Sequence, residues 1–326
     1  MTMRQRFIGC ACLVLGVGIA LVLGPVGVSL SVFSDHELLQ LRGSRVALAV
    51  VVGAALSAVG ATLQALLRNP LADPFVLGVS GGAAMGAALF LAAGSVITVG
   101  GAVGGALTLP GALLGALLAS AVLLAFLRMQ RRDPGNDSAV LVGVVVNAFS
   151  WAVVAVVRVA LPAGDAAGLS VWLIGALDYP SSSSLLIAAM ATVVGVIVLT
   201  RESGALAVLR GGDDDAARLG VDVGAVRLRV VLVCSGLVGV AVATTGVIGF
   251  VGLLVPHAVR RVTGDDDRHV VPLSAFVGAG VLAALDGVAR AVFAVVGSEL
   301  PVGAVCALLG APLLALLLMR EARSQR

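Results

Sequence analysis

The sequence predicts an all-α, polytopic membrane protein of about ten transmembrane helices, and three observations carry that prediction. Sixty per cent of the residues are hydrophobic, 12% are charged and the mean hydropathy is +1.11, whereas soluble domains carry about 25% charged residues. Apolar runs of about 20 residues recur along the chain, the length a helix needs to cross a bilayer. They lack the short alternating strands of a barrel, and only helices and closed barrels satisfy the backbone in lipid. Finally, all 21 basic residues are arginine, and they fall unevenly between the two sides that the runs define. The whole chain, residues 1–326, reads as one transmembrane domain.

Taken in order, the first span covers roughly Phe7 to Leu30, behind Arg4 and Arg6. It has the look of a signal peptide, and Ile8-Gly9-Cys10 hints at a lipobox, but that cysteine comes too early for a signal to precede it. A polar loop, Ser34 to Ser44, leads to span two, Arg45 to Leu67. Arg68-Asn69-Pro70-Leu71-Ala72-Asp73-Pro74 then predicts a tight non-helical turn, because its two prolines stop both flanking helices. Spans three, four and five are placed at Phe75–Val96, Ala102–Leu127 and Ser138–Leu161, with a charged loop from Arg128 to Asp137. Pro162 to Ser184, with Trp172 and Tyr179, reads as interfacial. Span six is Leu185–Leu199, and a polar island follows. Leu228–Thr245, a short Gly249–Val259, Val270–Val296 and Pro301–Met319 complete the set.

An even number of spans puts both termini on one side. With the N-terminus cytosolic, every arginine but Arg42, Arg45, Arg158 and Arg290 falls on the inner side, as the positive-inside rule expects. Of the outer four, Arg42 and Arg45 share a helix face at the start of span two, and Arg290 lies near the outer end of span nine. They are candidates for a positive ring that receives acidic groups of an external partner; snorkelling to lipid phosphate is the other reading. Asp286, the one acid inside a predicted span, stands four residues before Arg290. That spacing predicts a helix ion pair, and a single isolated acid makes a poor proton relay.

The polar island, residues 201–229, carries Arg201, Glu202, Arg210, Asp213, Asp214, Asp215, Arg218, Asp222, Arg227 and Arg229. Such a segment cannot lie in hydrocarbon. Within it, Asp213 to Leu219 has helix formers behind an acidic first turn, with Gly211 and Gly212 before and Gly220 after. It reads either as a short cytosolic helix or as an ordinary solvated loop. Gln64, Asn69, Asn147, Thr244 and Thr245 are polar groups in or beside spans, suited to lining a translocation path or to gluing helices together. The small-xxx-small glycines (Gly78, Gly82, Gly86; Gly101, Gly105; Gly111, Gly115) predict close helix packing.

Other chemistries are excluded. The cysteines Cys10, Cys12, Cys234 and Cys306 and the three scattered histidines have no metal-site spacing. Gly78-Val79-Ser80-Gly81-Gly82 fits a serine-nucleophile pattern, but the intramembrane histidine, His257, sits near the cytosolic face beside Pro256, Arg260 and Arg261. No G-x-x-x-x-G-K-[ST] phosphate loop occurs. An ion-coupled transporter needs buried acids near the midplane, and only Asp286 qualifies.

Four stretches carry a resemblance. Arg45 to Gly86, which contains NPLADP, closely resembles the FecCD-type permeases of binding-protein-dependent ABC importers for iron-siderophore complexes, haem or vitamin B12. Gly246–Arg261 (GVIGFVGLLVPHAVRR), Pro272–Arg290 (ending ALDGVAR) and Glu299–Pro312 (ELPVGAVCALLGAP) match as well. One departure is Gly43-Ser44, which replaces the family's usual Leu-Pro between Arg42 and Arg45 and is expected to loosen the start of that helix.

The resemblance implies the type II ABC importer permease fold in the cytoplasmic membrane, with both termini cytosolic. It implies a dimer with a second permease subunit, two ATP-binding cassette subunits that use the ATP, and an extracytoplasmic solute-binding protein. The chain itself binds no cofactor and no nucleic acid and catalyses nothing. The cargo is expected to be a ferric siderophore, with vitamin B12 or haem as alternatives. Asp213, Asp214, Asp215, Ala216, Ala217, Arg218, Leu219 and Gly220 become the ATPase-coupling element, and Arg42, Arg45 and Arg290 the docking positions for the binding protein.

Overall fold

A computed structural model of the chain describes residues 3–24, 27–28, 36–75, 77–97, 102–129, 136–264, 266–293, 297 and 299–324. Its twelve described helices are α1 (Met3–Val22), α2 (His36–Leu66), α3 (Val79–Ile97), α4 (Ala102–Met129), α5 (Asn136–Ala160), α6 (Ala163–Leu173), α7 (Ser182–Leu209), α8 (Asp213–Arg218), α9 (Val223–Thr245), α10 (Val251–Thr263), α11 (Asp267–Ala291) and α12 (Val302–Ser324). Seven are long and apolar enough to cross a membrane. Shorter apolar stretches in α3 and α12, together with the 13-residue α10, bring the count to the ten expected. The remaining two, α6 and α8, occupy the predicted interfacial segment and the polar island.

The differences from expectation lie at helix ends. α1 stops at Val22, and Leu23–Gly24 (β1) and Gly27–Val28 (β2) pair antiparallel, where the sequence placed helix up to Leu30; residues 29–35 lie outside the described ones. α2 begins at His36, nine residues before the predicted Arg45, and runs for 31 residues, about 46 Å. Gly43-Ser44 does not loosen it: the helix passes straight through, and Ser44 Oγ donates to the Leu41 carbonyl at 2.8 Å. α7 continues beyond Leu199 to Leu209, so the first part of the polar island is helical. Ser203, Leu206 and Leu209 explain this, because they recur on one face and are all buried.

α2 is the axis of the bundle. It packs against α1, α7, α9, α10 and α11, and from Gly53 to Leu66 all its residues but Ala54 are buried. A helix apolar all round belongs in the middle of a bundle. Close approach there depends on glycine: a Cβ on Gly60 would collide with the Gly252 carbonyl of α10. The predicted small-residue faces of α3 and α4 meet in the same way, Gly82 and Gly86 against Gly115 and Gly111. Inside a membrane such packing has to supply what the hydrophobic effect supplies in water.

Gly60→Val is therefore expected to cost at least about 1–3 kcal/mol, read as a lower thermal-unfolding midpoint in detergent. Gly18→Val, at a position where a Cβ meets nothing within 4 Å, should leave that midpoint unchanged.

Candidate functional site

The charged side chains gather at the two ends of α2. At the N-terminal end, α2 places Arg42 and Arg45 one turn apart, and α11 places Asp286 and Arg290 one turn apart. Asp286 is fully buried and lies between two guanidiniums. Its Oδ1 accepts from Arg45 Nε at 3.1 Å and Nη2 at 3.0 Å, and its Oδ2 accepts from Arg290 Nε at 3.0 Å. The expected pair at i,i+4 is thus present, with Arg45 as a second partner that spacing alone did not reveal. Arg45 Nη1 also donates to Glu299 Oε2 at 2.8 Å, and its guanidinium stands 5.9 Å from the centre of the Tyr179 ring.

The remaining donors close the end of α1. Arg290 Nη2 donates to the Ala20 carbonyl at 2.6 Å and Arg42 Nη1 to the Leu21 carbonyl at 3.0 Å. These are last-turn carbonyls, which an arginine satisfies well. With these contacts Arg42, Arg45 and Arg290 are 6%, 5% and 2% exposed in the single chain, and their charge ties α1, α2 and α11 together. Spacing alone could not reveal this, because an arginine that breaks the positive-inside rule reads the same in sequence whether it faces a partner or a buried acid. Glu299, which opens the ELPVGAV stretch, is the acid whose role was missed.

At the opposite end of α2, α8 is the short helix expected from Asp213 onward. Gly212 (φ 134°) precedes it and Gly220 (φ 84°) follows, and both angles favour glycine. Ala216 is its buried residue, while Asp214, Asp215, Ala217, Arg218, Leu219 and Gly220 are exposed. Leu219 is 72% exposed, a large apolar side chain held out into water. Asp213 points inward instead: its Oδ1 accepts from Arg68 Nη2 at 2.6 Å, and its Oδ2 lies 2.8 Å from Arg227 Nη2. Arg68, just past α2 in the left-handed region (φ 52°), also donates from Nε to the Leu209 carbonyl at the end of α7, at 2.9 Å. Nearby, the buried Asp267 faces Arg260 at 2.8 Å and Arg210 at 3.7 Å.

The five candidate path residues are each held by hydrogen bonds within the bundle or its turns. Thr244 and Thr245 donate to the carbonyls of Val240 and Ala241 in their own helix. Asn69 Oδ1 accepts from Leu71 N–H at 2.8 Å, building the NPLADP turn. Asn147 Nδ2 donates to the Phe75 carbonyl at 2.9 Å and so fastens the end of that turn to α5. Gln64 Nε2 donates to the Leu253 carbonyl of α10 at 3.3 Å. Of the five, only Gln64 lines a cavity of about 330 Å³ with Arg68, Pro70, Arg210, His257, Arg260 and Arg261.

Asp73 joins two of the stretches that carry the family resemblance, NPLADP and GVIGFVGLLVPHAVRR. Its Oδ1 accepts from Phe75 N–H at 2.7 Å, while Oδ2 lies 3.3 Å from where a Gly252 Cβ would be. The carboxylate thus faces the first turn of α10, where the Leu253 N–H favours its charge. Phe250, the residue before α10, makes no side-chain cap of its own, so the negative end that a helix start prefers comes from the NPLADP turn. Burial outweighs this and pushes the carboxyl up from 3.8 to about 6. The folded chain then binds a proton that the unfolded chain has lost, so stability falls as pH rises from about 4 to about 6, by up to about 3 kcal/mol. Asp73→Asn should flatten that pH dependence in thermal-unfolding midpoints taken from pH 4.5 to 7.5. At the N-terminal end of α2, Asp286→Asn leaves two buried guanidiniums short of an anion and should cost about 3–5 kcal/mol, read as a loss of folded yield or midpoint.

Comparison with known proteins places this geometry. The sequence profile of the FecCD transport family matches residues 9–320. The ABC transporter permease protein YvrB of Bacillus subtilis (strain 168), itself uncharacterised, is 39% identical over 89% of this chain and 80% of its own length. The hemin transport system permease protein HmuU of Yersinia pestis is 38% identical over 89% and 85%. The vitamin B12 import system permease protein BtuC of Vibrio cholerae is 37% identical over 86% and 82%. A solved structure described as an inward-facing metal-chelate type ABC transporter superposes with a TM-score of 0.82 at 27% identity, over 97% of this chain and 98% of that one. The fold is thus that of a type II ABC importer permease, built into the membrane by multiple spans, and the chain belongs to the FecCD transport family.

Proposed function

We propose that this chain carries a ferric siderophore complex across the cytoplasmic membrane, as one of two permease subunits worked by two ATP-binding cassette subunits. The observation that carries the transport reading is α8, a six-residue helix on the cytosolic side whose outer face, ending in the exposed Leu219, is presented to water. Ala217 and Leu219 give that face an apolar surface, with Asp214, Asp215 and Arg218 around it, that a partner subunit could cover. A force applied to that face tilts the spans, and a path between subunits opens to one side at a time. A solute-binding protein delivers the cargo on the outer side, and both termini lie in the cytosol. The ATP is used by the cassette subunits; the chain itself takes no cofactor.

The cargo assignment rests on wall chemistry. The spans carry few ionisable groups, and those of the outer cluster are spent on one another, so glycine-rich apolar walls are left to pass a bulky chelate without trapping it. Haem and vitamin B12 are the second reading, favoured by the similarity to HmuU and BtuC. An iron-chelate neighbour is also present, the Fe(3+)-citrate import permease YfmE of Bacillus subtilis at 33% identity over 95% of this chain.

The test is ATP-dependent uptake into proteoliposomes holding the permease with its cassette subunits and binding protein. Ferric siderophores, ferric citrate, haem and cobalamin are offered in turn. Uptake of a ferric siderophore is expected; uptake of haem or cobalamin alone overturns the cargo and leaves the transport reading standing. The structure separates two neighbouring residues within α8. Ala217→Trp, on the exposed face, should lower uptake at least about fivefold at unchanged folded yield. Ala216→Trp, at a buried position, should fail in folding instead.

A further inference from the structure

Building on the coupling reading of α8, we propose that Asp213 latches α8 to the cytosolic end of α2, so that the two move as one body when the ATPase displaces α8. α8 has little else to fix its orientation. It is six residues long, too short for a helix stable by itself. It hangs between two glycines in the left-handed region, and only Ala216 packs inward. What holds it is Asp213, which takes Arg68 Nη2 at 2.6 Å and Arg227 Nη2 at 2.8 Å. One carboxylate therefore joins the end of α2, the start of α8 and the first turns of α9.

Arg68 is suited to be the fixed side of this latch. Its backbone leaves α2 in a conformation that a non-glycine residue rarely adopts, and the turn around it is closed by Leu67 N–H to the Leu63 carbonyl and Asn69 N–H to the Gln64 carbonyl. Its Nε is committed to the Leu209 carbonyl. Beyond it stands the most enclosed helix of the bundle, whose other end grips Asp286 through Arg45. From Arg45 to Leu66 the helix is continuous, about 32 Å, so displacement of α8 reaches the outer cluster along one rigid element. Asp213 and its partners are partly exposed, and such pairs contribute little to stability. The latch therefore acts on direction of motion, and its loss leaves the chain folded. Asp213 is a positioning residue.

The experiment uses the full complex of permease and cassette subunits, with Cys10 and Cys12 replaced by serine. Spin labels are placed at Arg218→Cys on α8 and Leu71→Cys in the turn after α2. The distance between them should stay constant, within about 2 Å, between the nucleotide-free and ATP-trapped states. In Asp213→Asn it should broaden and shift on trapping ATP, and Asp213→Glu should restore the narrow distribution. A distance that changes with ATP while Asp213 is intact overturns the latch, as does an Asp213→Asn distribution identical to that of the parent. Loss of the cassette subunits from Asp213→Asn on co-purification also overturns it, because Asp213 would then be a docking contact. The coupling reading has a separate control: if Ala217→Trp leaves uptake and ATP hydrolysis unchanged, that reading fails whatever the labels show.

Discussion

A buried helix in a membrane has to dispose of its polar ends, and everything else in this molecule is arranged around how α2 does so. Its middle is mostly alanine, valine, leucine and glycine packed on every side, and the buried Thr62 turns its hydroxyl back to the Ala58 carbonyl of the same helix. Its ends leave the hydrocarbon at arginines. Each guanidinium there is matched to a carboxylate or a helix-end carbonyl on a different element: Asp286, Glu299 and Leu21 at one end, Asp213 and Leu209 at the other. Buried ion pairs add little net stability over apolar packing, but breaking one is costly. The arrangement therefore fixes register. α1, α7, α8 and α11 are each tied at a set height along α2, and sliding α11 by one turn would strand the buried Asp286.

Asp73 extends the same logic to a helix that lacks a cap. The NPLADP turn spends Asn69 and Asp73 on its own backbone and then presents the rest of Asp73 to the start of α10. Gln64, one turn before the end of α2, takes the Leu253 carbonyl of that helix. Two of the stretches that carry the family resemblance are thus the two halves of one joint, far apart in sequence and in contact in the fold.

The spans and their order were legible because hydrocarbon thickness leaves long-range marks in composition. α8 was legible because two glycines and three consecutive acids bracket it. Helix ends were less so: α2 and α7 overrun the apolar stretches because Arg42, Arg45, Ser203 and Leu206 find partners or burial inside the bundle, which hydropathy does not register. The direction in which a charge faces was the hardest to read. Arg45 has the same neighbours in sequence whether it meets a partner protein or an aspartate 241 positions away. For the same reason the sequence did not show that Asn147 fastens a turn or that the Thr245 hydroxyl bonds its own helix.

α10 is 13 residues long, about 20 Å, against a hydrocarbon layer of about 30 Å. Its start, and the irregular segment from Gly246 to Phe250 before it, therefore lie at a depth where exposed backbone would be intolerable in lipid. Two other segments cover it: Gly246 sits against the Trp172 carbonyl and Gly175 against that of Val247, and Gly303 donates its N–H to the Gly175 carbonyl. This knot of crossed backbone is a local thinning of the barrier. Lengthening α10 by one turn, about 5 Å, would drive the Gly246–Phe250 segment into the backbone that covers it, so the length of this one helix is fixed by the strands of chain crossing its start.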